Sequence, residues 1–138
     1  ASQAIGLRAR IAELFALALG RNLAVAVATT TSAPNVDAVS RAAFGKPASD
    51  LFDVVAAGDE IGAKKPSPDV YLLALQRLGM PAAACVAFED SRNGLLAAQR
   101  AGLRCVVSPS LYTAADDFSG ADLLVPDFAA ALPLVAVW

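Results

Sequence analysis

The stretch Val86-Ala87-Phe88-Glu89-Asp90-Ser91-Arg92-Asn93-Gly94 decides the fold. An apolar, strand-like run ends in two adjacent carboxylates, and a helical run begins just beyond a small hydroxyl residue. Paired charges at a strand end add nothing to a core. At the carboxyl edge of a parallel sheet, however, two such side chains form half of a site for a hard cation such as Mg²⁺. A solvated turn with Ser91 as helix N-cap accounts for the same residues, so the rest of the chain must decide.

Outward from that stretch, strand and helix signals alternate. Leu7, Ile11, Leu14, Phe15 and Ala18 recur at helical spacing before Gly20. Leu23 to Ala28 is a short continuous apolar run, as expected of a strand covered on both faces. A polar turn, Thr29-Thr30-Thr31-Ser32-Ala33-Pro34-Asn35, leads into a helix marked by Val36, Val39, Ala43 and Phe44 and stopped by Gly45. Asp53 to Ala57 is a second strand, and Ser67-Pro68 starts a helix that ends at Gly79. Ala84 to Phe88 and Arg104 to Val107 are further strands, flanking a helix over 91–101 that Gly102 closes. A short helix is expected after Thr113, a small strand over Leu123 to Val125, a helical turn capped by Asp127, and packing of the apolar tail Leu132 to Trp138 over the core. This alternation predicts an α/β fold: a Rossmann-like, three-layer α/β/α arrangement around a parallel sheet. Ligands of such folds bind beyond the carboxyl ends of the strands.

Composition excludes several functions. With 138 residues, 57% of them hydrophobic, the chain supports a single core domain. A net charge of −2 without a Lys/Arg run argues against nucleic-acid binding. The apolar stretches fall short of the roughly 20 residues a membrane span needs, and Arg8, Arg10 and Glu13 interrupt any signal-peptide core. Cys85 and Cys105 fall in expected strands and are read as reduced core residues of a cytoplasmic protein. The absence of histidine excludes a Ser-His-Asp triad, a Cys-His pair and a His-ligated zinc.

Three polar clusters follow three expected strands, which places them on one edge. Thr29-Thr30-Thr31-Ser32 offers hydroxyls and backbone N–H groups that suit a phosphate, although a Ser/Thr-rich turn also caps a helix without any ligand. In Gly62-Ala63-Lys64-Lys65-Pro66-Ser67-Pro68-Asp69 the prolines stiffen the backbone and hold Lys65 near a helix start. There it can pair with a phosphate or a carboxylate, whereas Lys64 is expected to be solvated. Proline follows Lys65 where a P-loop requires Ser or Thr, so nucleotide hydrolysis of that type is rejected. In the third cluster Asp90 is the expected Mg²⁺ ligand, Glu89 acts through water or positions its neighbour, and Ser91 and Asn93 flank them. Mg²⁺ takes about six oxygens, so substrate phosphate, water and a further carboxylate must complete the set.

Thr29 after Val25-Ala26-Val27-Ala28, then Lys65-Pro66-Ser67-Pro68-Asp69-Val70-Tyr71, then Glu89-Asp90-Ser91-Arg92-Asn93-Gly94 resembles, in order and spacing, the second, third and fourth motifs of the haloacid dehalogenase-like hydrolases. The wording is most similar to the CbbY and β-phosphoglucomutase branch. The resemblance implies Mg²⁺-dependent phosphoryl transfer from a small phosphorylated metabolite, a sugar phosphate being the leading class, through an aspartyl-phosphate. It also implies that Thr29 binds the phosphoryl group, that Lys65 steadies nucleophile and transferring charge, that Glu89 and Asp90 serve the metal, and that Thr30, Thr31 and Ser32 lie near substrate. A sugar phosphomutase uses the same core.

The family's first motif, Asp-x-Asp at the end of the first strand, is not found in this sequence. Asp50 and Asp53 are wrongly spaced, Asp116-Asp117 follows no strong strand, and Asp59 has no partner two residues on. The cap that the family inserts after that motif is not found either. The resemblance therefore implies a fragment of a longer phosphatase, inactive alone because the nucleophile acts as one unit with its neighbours. It also implies a sheet incomplete at its central strand, between 23–28 and 84–88. A retained N-terminal fragment, direct pairing of the two strands, the apolar tail, or a strand from another chain in a homodimer would fill that place. A non-catalytic remnant that dimerises or binds is the rival reading.

Overall fold

The computed structural model describes residues 23–109 and 113–126. The expected helix over 7–18, the turn at Asp127 and the tail 132–138 lie outside the described residues.

β1 (Ala26–Ala28) leads through the threonine turn into α1 (Ala33–Phe44). Ser32 is the N-cap, its Oγ accepting from the Asn35 N–H at 3.3 Å, and Pro34 preforms the first turn. Gly45 ends the helix in the left-handed region at φ 70°, returning its N–H to Arg41 O at 2.9 Å. A short helix that sequence spacing did not predict, α2 (Ala48–Leu51), precedes β2 (Val54–Ala56). β1 and β2 pair in parallel, Ala26 opposite Val54. After a 3₁₀ turn over Gly58–Glu60, α3 (Asp69–Leu78) packs across both strands. Its start falls slightly later than Ser67-Pro68 implied: Pro68 occupies the cap position, and the Ser67 hydroxyl accepts from the Asp69 N–H at 3.3 Å.

The second half runs β3 (Val86–Glu89), α4 (Arg92–Arg100), β4 (Arg104–Val107) and β5 (Leu123–Leu124). These strands form a parallel sheet in the order β3-β4-β5, with α4 packed on β3 and β4. The β3 strand begins later than predicted, because Ala82–Ala84 form a 3₁₀ turn. The segment after Thr113 is a turn, not the helix expected. Its Thr113 and Asp116 side chains bond to Asp90 O and the Arg92 N–H instead, a competition that such residues regularly win against helix.

The parallel α/β pattern is therefore present, divided among the described residues into two sheets. Among the described residues no strand ladder joins β1 to β3. A cleft of about 780 Å³ lies between them, walled by both strands and floored by Tyr71, Ala74 and Leu75 of α3. This accounts for one departure from expectation: β1 is half-buried rather than covered on both faces. Strand β4 shows the alternative. Cys105 and Val107 join Val70, Leu95, Ala97 and Ala98 in the main core, while Val106 packs with Val125 on the opposite face. Cys85 is half-buried and Cys105 buried, and both are free thiols. Burial pushes the Cys105 thiol up to about 12, so it behaves as a small apolar residue.

Candidate active site

The carboxyl ends of β1 and β3 meet at one mouth of the cleft. Thr29 continues β1, its N–H bonded to Ala56 O at 3.0 Å. The Thr29 Oγ accepts from the Thr31 N–H at 3.2 Å, which leaves its own proton free to donate outward. The turn is braced from behind. The Gly58 N–H donates to Thr31 O at 2.7 Å, Asp59 accepts from the Ala33 N–H at 3.2 Å, and the Asn35 amide donates to Thr31 Oγ at 2.8 Å. Thr29 and Thr31 line the cleft. Thr30 turns back, its carbonyl lying where a Cβ on Gly58 would stand. Ser32 faces helix α1 as its cap.

Lys65 ties the two strands together. Its ammonium donates to Ala28 O at 3.0 Å, beside Thr29, and to Glu89 Oε2 at 2.6 Å, at the end of β3. The lysine and glutamate side chains are only 16% and 8% exposed, so this pair is screened far less than a surface ion pair. Lys64 is exposed, as expected. The loop is anchored by Arg100, whose guanidinium donates to Pro66 O at 3.1 Å.

The acidic pair splits in role. Glu89 points inward, where Tyr71 also donates its hydroxyl to the same Oε2. Burial first, and then the Glu89 charge, push the Tyr71 phenol well above its usual range, so it stays a proton donor. Asp90 lines the mouth with Thr29, Thr31 and Lys65. Ser91 is the N-cap of α4, accepting from the Gly94 N–H at 3.1 Å, which is the role any helix start would give it. Asn93 is exposed in the first turn of α4. The acidic turn is held from outside by Thr113, which donates to Asp90 O, and by Asp116, which accepts from the Arg92 N–H at 3.2 Å. Arg92 in turn donates to Asp117 O at 3.0 Å. Sequence reasoning missed Tyr71, Gly58 and this 113–117 brace. A tyrosine on the inward face of α3, between Val70 and Ala74, was the available signal, because a buried hydroxyl requires a partner.

The donor set suits a hard cation in part. Asp90 brings a carboxylate to the mouth, and the Glu89 carboxylate is bonded by Lys65 and Tyr71. Among the described residues no cluster of three or more acidic, His or Cys side chains converges. Mg²⁺ bound here would draw its remaining oxygens from water and phosphate.

A hydroxyl, an ammonium and a carboxylate thus converge at one strand edge in the order the motifs set out. The family model for haloacid dehalogenase-like hydrolases matches residues 2–102. The chain belongs to that family. Within it the chain falls in the CbbY-like branch: CbbY of Rhodobacter capsulatus is 58% identical over 131 residues, covering 95% of this chain and 58% of the relative. Two crystal structures of CbbY from Rhodobacter sphaeroides superpose closely. A mutant in complex with xylulose-(1,5)-bisphosphate gives a TM-score of 0.87 at 57% identity, covering 89% of this chain and 55% of that one. The phosphate complex gives 0.88 at 54% identity, covering 94% and 59%. The fold is the Rossmann-type α/β fold of these structures. The chain spans a little over half the length of these relatives. Among the described residues no helix is long and apolar enough to cross a membrane.

Proposed function

We propose that this chain is the phosphate- and magnesium-binding core of a phosphatase acting on a small phosphorylated sugar, folded as one domain over residues 1–138. One observation carries the reading: the Lys65 ammonium touches the end of β1 beside Thr29 and the end of β3 beside Asp90. An ammonium has three protons, and two are placed by Ala28 O and Glu89. The third, with the Thr29 hydroxyl proton, is available to the oxygens of a phosphoryl group at the cleft mouth. The Thr31 side chain borders the same place, while Thr30, Ser32, Ser91 and Asn93 shape the turns around it. Asp90 would hold Mg²⁺, which when bound neutralises phosphoryl oxygens as charge moves during transfer. Glu89 acts by holding Lys65. The sugar bisphosphate bound by the similar CbbY indicates the substrate class.

These residues supply anion and metal binding but no Asp-x-Asp nucleophile, so the chain alone binds phosphate without turning over an ester. Calorimetry with inorganic phosphate in the presence of Mg²⁺, together with an assay of phosphate release from xylulose-1,5-bisphosphate, tests both halves of the reading. Binding without release is expected. In Asp90→Ala the rise in melting temperature produced by Mg²⁺ should vanish. An equal Mg²⁺ effect in parent and variant would remove Asp90 from the site, and turnover by the pure chain would remove the nucleophile argument.

A further inference from the structure

We infer that Tyr71 is the positioning residue of the site, holding Lys65 and Glu89 as one unit through two different parts of its side chain. The hydroxyl donates to Glu89 Oε2, the same oxygen that receives the Lys65 ammonium at 2.6 Å. The ring face lies under that ammonium, with the nitrogen 4.9 Å from the ring centroid. The tyrosine is buried on the core face of α3, an element far from both strand ends in sequence, and it floors the cleft there. Its two contacts define where the lysine can sit. The carboxylate and the ring fix the ammonium from below, and Ala28 O fixes it from the side at 3.0 Å. The remaining N–H is thereby aimed at the cleft mouth beside Thr29. The other Glu89 oxygen abuts the backbone at Gly94, where even a methyl group would stand 1.8 Å from Oε1, which blocks movement of the side chain on that side only. Without the phenol, Oε2 belongs to Lys65 alone, and the lysine is free to follow the carboxylate away from the anion.

This inference rests on the phosphate-binding reading, but one of its readouts does not. In the ligand-free chain, NMR should show a slowly exchanging Tyr71 hydroxyl proton with a cross-peak to the Lys65 ammonium protons. In Tyr71→Phe the ring remains, and the Lys65 ammonium signal should broaden and shift while circular dichroism is unchanged. Phosphate affinity should fall about tenfold in Tyr71→Phe, and further in Tyr71→Leu, which also loses the ring. The Mg²⁺ effect on melting temperature should persist in both variants. No cross-peak in the parent chain, or an unaltered Lys65 signal in Tyr71→Phe, overturns the inference whether or not phosphate binds. A parent chain that shows the cross-peak but binds no phosphate supports the positioning of Lys65 and refutes the proposed site instead.

Discussion

The two half-sheets use the same parallel geometry to opposite ends. In β3-β4-β5, Cys105, Val106 and Val107 are completely buried, and β4 is covered on both faces. In β1-β2 the strand residues are all alanine or valine, and every residue of β1 is half-buried. The difference lies in the neighbours. Among the described residues, strand β4 has a partner on each side, whereas β1 has one partner and faces the cleft. The main core is shared, with Ala56, Val70 and Ala74 packed in one cluster with Leu95 and Cys105, but the end of β1 that carries the hydroxyls leans in addition on what reaches across the cleft to it. Lys65 is the clearest such link.

Removing that link should have the largest effect. Lys65→Met leaves the carboxylate of Glu89, 8% exposed, without its cation. Stranding a buried charge costs about 3–5 kcal/mol. Urea unfolding should show a loss of that size together with abolished phosphate binding. A loss below about 1 kcal/mol would mean that the pair behaves as a surface ion pair and that the halves do not depend on it.

A pair of core truncations sharpens the contrast. Leu95, 1% exposed on α4, packs in the main core. Leu95→Ala should cost about 2–5 kcal/mol. Val54→Ala, in the half-buried β2, should cost about 1–2 kcal/mol, since only two methyl groups are lost from a site that can partly collapse or admit water. Equal losses would show that the first half-sheet is packed as tightly as the second.

Two glycines offer a matched test at the site itself. A Cβ on Gly58 would lie 2.0 Å from Thr30 O, and one on Gly94 would lie 1.8 Å from Glu89 Oε1. The first obstacle is backbone. The second is a side chain that Lys65 and Tyr71 hold in place. Each Gly→Ala change should cost about 1–3 kcal/mol, as overpacking does. Gly58→Ala should weaken phosphate binding by displacing the Thr29 turn, while leaving the Mg²⁺ effect at Asp90 intact. Gly94→Ala should disturb both. Identical binding defects would erase the distinction between a hydroxyl half and a carboxylate half.

What the sequence disclosed follows from the range of the interactions. The cap at Ser91 and the left-handed stops at Gly45 and Gly79 are local, and spacing alone located them, whereas Ser32 was read only as part of a capping turn. The convergence of Thr29, Lys65 and Asp90 was legible because strand ends in a parallel α/β fold share an edge. Tyr71 was not, because its meaning lies in Glu89, 18 residues away across a helix and a strand. The 113–117 segment was misread for a related reason. Its polar side chains bond to the acidic turn more than 20 residues earlier, and no local pattern encodes that choice against helix. Gly58 carries no local signal either, because what makes it necessary is the Thr30 backbone set against it from a distant loop.

The smallest expected effect concerns the exposed arginine clips, and it also separates the halves. In the first half, Arg77 bonds Glu60 and the carbonyl of Val55, pinning α3 to the turn after β2. Its hydrogen bond holds the Glu60 carboxyl below its ordinary value of 4.5. A hydrogen bond from Arg41 likewise holds Asp37 below 3.8. In the second half, Asp117 is held below 3.8, first by Ser119 and then by Arg92. A carboxyl depressed on folding contributes stability that is complete above its unfolded pKa and is lost as pH falls through the folded value. The melting temperature should therefore be flat above the ordinary carboxylate range and decline in acid, with a shallower slope at high salt because all these groups face solvent. Glu60→Gln should flatten part of that acid decline without altering phosphate binding, and Asp117→Asn should flatten another part while loosening the acidic turn that Arg92 begins. If both variants leave the acid limb unchanged, the clips order loops without contributing to stability, and the half-sheets owe their difference to the cleft alone.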